Sequence, residues 1–158
     1  MVDSTKFMGR PTKFELVINP SEGITATTLK NREIIEKAYL KTLNGHDTAL
    51  WDILHPDVEF YEADSLPYGG HVTGVKAASA AVQRMLDAWS ELRVEIFDYM
   101  ASGDIIIAYL RMTATSRATG KIYEGMTAEL FRFNDSKVIE WRVIYWDTHR
   151  VRQICGVT

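Results

Sequence analysis

Apolar positions recur at helical spacing in the first half of the chain and alternate with polar ones in the second. Ile35, Ala38, Tyr39, Thr42 and Leu43 share one helical face, Thr27 or Thr28 supplies an N-cap, and Asn44-Gly45 supplies a left-handed stop. A long first helix through Leu43 is predicted. Asp47 or Thr48 caps a short second helix, Ala49 to Leu54, which His55-Pro56 ends. Asp57 to Asp64 then alternates as a strand does, and Leu66-Pro67-Tyr68-Gly69-Gly70 breaks it as a lid or turn. Thr73 caps a third helix, whose apolar stripe is Val75, Ala78, Val82, Met85, Leu86 and Trp89.

From Leu92 onward the period is two, and turn signals at Ser102-Gly103, Thr119-Gly120 and Asn134-Asp135-Ser136 divide the remainder into four strands. Helices first and an antiparallel meander afterwards predict an α+β protein; no helical pattern separates those strands, which excludes a βαβ parallel sheet. Residues 1–26 read as an N-terminal arm containing the short apolar run Phe14 to Ile18, and residues 27–158 as one domain.

Composition narrows the partners. A formal charge of -3, with no dense Lys/Arg run, is wrong for a phosphate backbone, so no nucleic-acid partner is expected. No apolar run approaches a membrane span, and the first residues carry Asp3, Lys6 and Arg10 where a signal peptide needs an apolar stretch. With Cys155 as the single cysteine, a reducing, cytoplasmic setting is the natural expectation.

Strand alternation carries the candidate chemistry. In the last strand Ile139, Trp141, Val143, Tyr145 and Asp147 share one face, while Glu140, Arg142, Ile144 and Trp146 share the other. The Glu140/Arg142 pair marks the outer face, so Asp147 is expected inward. In the preceding strand Glu124 and Arg132 mark the outside, which sends Thr127, Glu129, Phe131 and Phe133 inward. In the first strand Val58 and Phe60 face the core, and Glu62 and Asp64 follow. Arg111 is the one cation on the sheet placed to neutralise such acids, although both faces of its strand are apolar. An acid in a largely apolar pocket has its charged form desolvated, which raises its pKa toward working pH and suits it to proton transfer. Paired or solvated strand-end acids are the plainer alternative.

Among the other candidates, His71 follows Gly69-Gly70 at a possible pocket mouth, and Tyr39 can donate its hydroxyl to a developing oxyanion. Trp89, Trp141 and Tyr145 serve as core and pocket wall, with Tyr68 and Asp64 beside them. The histidines show no ligand spacing, so no metal is expected. On the outer face Ile144, Trp146, Leu130, Met126 and Ala128 form an apolar patch, which predicts a homodimer through that face.

The order helix, short helix, strand, "LPYGGHVTG", long helix and meander resembles the SnoaL-like polyketide cyclases over roughly residues 30 to 157. The segments "LHPDVEFYEADSLPYGG", "AELFRFNDSKVIEWRVIYWD" and "VRQICG" carry the resemblance. It implies the ketosteroid-isomerase-like, or nuclear-transport-factor-like, fold: a cone-shaped, curved, mixed but mainly antiparallel sheet wrapped around helices and enclosing a pocket. It also implies catalysis by an aspartate at the end of the last strand, a position matched by Asp147, and, by the isomerases, a base on the first strand, matched by Glu62. Limonene epoxide hydrolases of this fold use an Arg-x-Asp pair, whereas Arg111 is followed by Met112 and Thr113.

The expectation is therefore a cofactor-free cyclase or isomerase acting on a polyketide-like or other small, hydrophobic carbonyl compound. Asp147 removes a proton, Glu62 or Glu129 holds or returns protons, and Arg111 or Tyr39 stabilises the enolate. A dehydratase, an epoxide hydrolase and a non-catalytic ligand-binding dimer are the alternatives.

Overall fold

Thr25 and Thr28 open the first helix by exchanging hydrogen bonds, each backbone amide donating to the other's hydroxyl at 3.1 Å. This reciprocal arrangement satisfies amides that a helix start leaves unpaired. In the computed structural model, which describes Val17, residues 22–43 and residues 48–157, helix α1 accordingly spans Ala26–Leu43. The cap is Thr25, earlier than the expected Thr27 or Thr28. The Asn44-Gly45 stop, His46, Asp47 and most of the arm lie outside the described residues.

The expected second helix shrinks to a 3₁₀ turn at Trp51–Ile53, and strand β1 runs Leu54–Glu62, through Pro56. The proline fits because the ladder to the neighbouring strand is irregular between Leu54 and Glu59, so its missing N–H breaks no pairing. Strand β2 (Gly70–Thr73), which the sequence pattern does not announce, folds back antiparallel on β1 with Gly70 opposite Glu62. The link between them is a tight turn in which Gly69 packs directly on the Ala63 carbonyl, where any Cβ would collide with backbone. Thr73 does not cap the next helix. Its hydroxyl donates to Glu59 at 3.0 Å, and Gly74, with φ of 91°, is the N-cap of α2 (Val75–Asp87). Trp89 lies beyond that helix, at the start of the sheet's next strand.

Strands β3 (Trp89–Ser102), β4 (Ile105–Ser116), β5 (Ile122–Asn134) and β6 (Lys137–Tyr145) form the predicted antiparallel meander, with its three turns where expected. Asp135 and Ser136, at φ of 47° and 63°, make the two-residue turn whose twist matches its flanking strands. The sheet order is β2-β1-β6-β5-β4-β3, with β1 parallel to β6. The fold is thus α+β, with an open, mixed, mainly antiparallel sheet.

Two of the sheet's register irregularities change which residues face inward. The β3–β4 register slips between Ile96 and Asp98, and the β5–β6 register slips between Arg132 and Phe133, opposite Val138 to Glu140. Each extra residue increases local twist and shifts the inward phase. Hence Val138 is buried where alternation places Ile139, and both Ile96 and Tyr99 line the interior despite their odd spacing. On the concave side, Ile35 of α1 and Ala78 and Ala81 of α2 pack with Val58, Phe60, Phe131 and Trp141 in one apolar core. A second core joins Leu66, Tyr68, Trp89, Tyr123 and Tyr145 to Val151 of a C-terminal helix, α3 (Thr148–Cys155), which the sequence reading does not anticipate. Among the described residues no helix is long and apolar enough to cross a membrane.

Candidate active site

Between α1, α2 and the concave face of the sheet lies a cavity of about 1050 Å³. Its walls are mostly apolar and aromatic, including Leu40, Trp51, Phe60, Val94, Leu110, Met112, Trp141 and Val143, and two carboxylates, Glu62 and Glu129, stand on its sheet side.

Register places those acids. Glu129 lies opposite Val143 in the β5–β6 ladder. The parallel β1–β6 ladder pairs Phe60 with Trp141 and Tyr61 with Arg142, so its next step brings Glu62 beside Val143. The two acids therefore flank Val143 in one row, two strand spacings or roughly 10 Å apart at their Cα atoms. Side chains on one face of adjacent strands converge, and here the concave curvature favours convergence further.

Their surroundings differ. The Tyr39 hydroxyl, from α1, donates to Glu129 Oε2 at 2.7 Å, and the Trp141 indole N–H donates to the same oxygen at 2.9 Å. Both donors meet Oε2, which leaves Oε1 clear of them. Burial pushes the Glu129 carboxyl above its ordinary range, while these two donors pull it back. Glu62 is only 6% exposed and its Oε1 has no hydrogen-bond partner. Burial, followed by the neighbouring charge of Glu129, pushes it up to about 8, with an opposing contribution from the Tyr145 hydroxyl. Tyr145 in turn accepts a hydrogen bond from Tyr68 at 3.3 Å. The two carboxyls therefore hold a proton unequally, which is the arrangement that separates an acid from a base.

The other sequence candidates lie elsewhere. Asp147 is exposed, past the end of β6, and its side chain accepts from the Arg150 amide at 2.9 Å as the N-cap of α3. Alternation cannot be extended to it because the strand ends at Tyr145 and the chain turns into a helix. Asp64 is likewise exposed, in the turn after β1. Arg111 projects from the convex face, 3.8 Å from Glu124 and over the Phe97 ring. His71 is exposed, bonded to Glu59 and stacked on Tyr61. Tyr39, Trp141 and Tyr145 line the cavity as expected, while Trp89 and Tyr68 stand behind it in the second core. Tyr99, missed because the slip at Phe97 hides its phase, also lines the cavity, and burial raises its hydroxyl to about 12.

A curved mixed sheet closed by helices over an acid-bearing cavity is the NTF2-like architecture, and solved structures agree. An NTF2-like protein from Burkholderia pseudomallei superposes with a TM-score of 0.73 at 18% identity, covering 80% of this chain and 98% of its own. A candidate SnoaL-like polyketide cyclase from Jannaschia gives 0.71 at 16% identity, covering 85% and 98%. A third neighbour, TerC, co-crystallised with polyporic acid, gives 0.70 at 18%, covering 80% and 98%. No curated sequence matches significantly. The SnoaL-like domain family matches residues 37–141, and the chain belongs to that family.

Proposed function

We propose that this protein is a cofactor-free acid/base enzyme, a cyclase or isomerase, acting on a small hydrophobic carbonyl compound held in the cavity. The observation that carries the reading is the Glu62/Glu129 pair, one buried and one half-buried acid facing a single apolar cavity with unequal hydrogen bonding. The described lining residues include no Lys, Arg or His, so an uncharged ligand suits it better than a carboxylate or phosphate.

In this reading Glu129 is the base and Glu62 the acid. Glu129 Oε1 takes a proton from the carbon beside the carbonyl, the C–H electrons form a C=C bond, and Glu62 gives its proton to the carbonyl oxygen. For isomerisation, Glu129 returns its proton to another carbon of the enol while Glu62 recovers the enol proton. For cyclisation, the enol carbon bonds to a second carbonyl carbon, whose oxygen receives the proton from Glu129, while the first carbonyl re-forms and its enol proton returns to Glu62. A positioned acid or base supplies about 10² to 10⁴ in rate, so two of them in a dry cavity are sufficient machinery. The same pair would serve a dehydratase, a distinction that belongs to the substrate.

The test needs no natural substrate. 1-Tetralone incubated with the protein in D₂O should exchange its α protons, read by NMR, faster than in buffer or with Glu129→Gln. Binding without exchange would mean a non-catalytic ligand carrier.

We also propose that the convex face pairs two copies of the chain. Phe97, Tyr109, Ile144 and Trp146 are exposed there, Trp146 at 89%, on a face whose neighbouring Arg111, Arg132 and Arg142 are already in ion pairs with Glu124, Asp104 and Glu140. Sedimentation equilibrium should give a dimer that Ile144→Glu dissociates.

A further inference from the structure

Among the described residues, Glu62 and Thr127 are the cavity-lining residues that carry a buried side-chain polar atom with no hydrogen-bond partner. Glu62 has a place in the chemistry above. Thr127 has none. It is 4% exposed, in the middle of β5, opposite Tyr145 on one side and Leu110 on the other. Its side chain shares the inward face of β5 with Glu129, two residues along, roughly 7 Å away at Cα. A buried hydroxyl with no acceptor is destabilising, and valine has the same shape and suits a strand at least as well. An unpaired threonine there is explained by a partner that arrives with the ligand.

We propose that Thr127 is a substrate-binding residue whose hydroxyl donates to an oxygen of the ligand, fixing the reacting carbon between Glu62 and Glu129. The inference rests on the reading of the cavity as a site for a small carbonyl compound. It adds a direction to that reading. The oxygen-bearing end of the ligand lies against the sheet at Thr127, and the hydrocarbon body extends toward Leu40, Leu86 and Val94, on α1, α2 and β3. Specificity then has two parts: apolar bulk tolerated broadly, and one oxygen demanded at a set place, because a site built to hydrogen-bond an oxygen penalises its absence far more than a pocket penalises one methylene.

Thr127→Val and Thr127→Ser separate the possibilities, with 1-tetralone and tetralin as a ligand pair differing in the carbonyl oxygen. Binding is read from quenching of the tryptophan fluorescence, to which Trp51 and Trp141 in the cavity wall contribute. Wild type should prefer tetralone, and Thr127→Val should bind it about five- to tenfold more weakly, the ratio one neutral hydrogen bond is worth, with tetralin unchanged. Thr127→Ser should restore the preference. Equal losses for both ligands would mean that Thr127 only shapes the wall, and an unchanged preference would mean that its hydroxyl meets no ligand; either result overturns the proposal. Tetralone that binds with this dependence but does not exchange its α protons leaves Thr127 assigned and removes the catalytic reading. If neither ligand binds wild type, both fall.

Discussion

Glu62 and Glu129 stand on either side of Val143 in one row of the sheet, and only Glu129 is held by two neutral donors, Tyr39 and Trp141. That asymmetry is what makes a matched pair of glutamates chemically unequal. The carboxylate with two donors keeps its charge more easily, and its charge then helps hold the proton on Glu62.

The first consequence is a pH profile. Exchange requires Glu129 ionised and Glu62 protonated, so the rate should fall as pH rises through about 8, the value to which Glu62 is pushed. Glu62→Gln, a neutral donor of similar shape, should lose that alkaline fall. Glu129→Gln should lose about 10² to 10⁴ in rate at every pH. Exchange rates measured from pH 5 to 10 decide both.

A second follows for stability. An unfolded glutamate ionises near 4.5 and folded Glu62 near 8. Between those values the unfolded chain has released a proton that the folded one retains, so rising pH favours unfolding by about 1.4 kcal/mol per pH unit for this group. The contribution is fully present below 4.5 and lost by pH 8. Urea unfolding across this window should show that slope for wild type and a flatter one for Glu62→Gln, leaving the variant the more stable protein near pH 7.5.

Tyr39 is a positioning residue, since it acts on Glu129 and is expected to reach the substrate only through it. Removing its hydroxyl in Tyr39→Phe withdraws one of the two donors that lower the proton affinity of Glu129. The acid limb of the rate profile should move to higher pH, with the rate lost on that limb, as expected when one hydrogen bond to the charged form is withdrawn. A merely structural role would lower the rate without moving the limb.

Asp147 supplies the opposite expectation. As the N-cap of α3 it holds the Arg150 amide, so Asp147→Ala should cost about 1 kcal/mol of stability. The exchange rate per folded molecule should stay at the wild-type level. A collapse of that rate in a folded Asp147→Ala variant would restore the aspartate to the chemistry.

The two outcomes for acids on the sheet show how far alternation can be trusted. Phe60 and Glu62 face inward as a period of two requires, and so do Thr127, Glu129 and Phe131, because these stretches lie inside regular ladders. Asp64 and Asp147 obey the same arithmetic and still end outside, since β1 stops at Glu62 and β6 at Tyr145. A strand end is set by where pairing stops, and pairing depends on the partner strand. The slips at Phe97 and Ile139 are equally silent in the sequence, which is why Tyr99 was not expected in the cavity and Ile139 was expected in the core.

The sequence by itself determined the two long helices, the strands and turns of the meander, the α+β class, and the presence of acids on faces otherwise apolar. Those properties are local: they follow from side-chain period, backbone freedom and the cost of burying charge. Which acids share the cavity was decided by tertiary structure alone. Laying β1 parallel against β6 brings Glu62 into the row of Glu129 across a long stretch of chain, and crossing α1 over that row delivers the Tyr39 hydroxyl to one of them. Register and curvature are properties of assembled strands, and no single strand carries them.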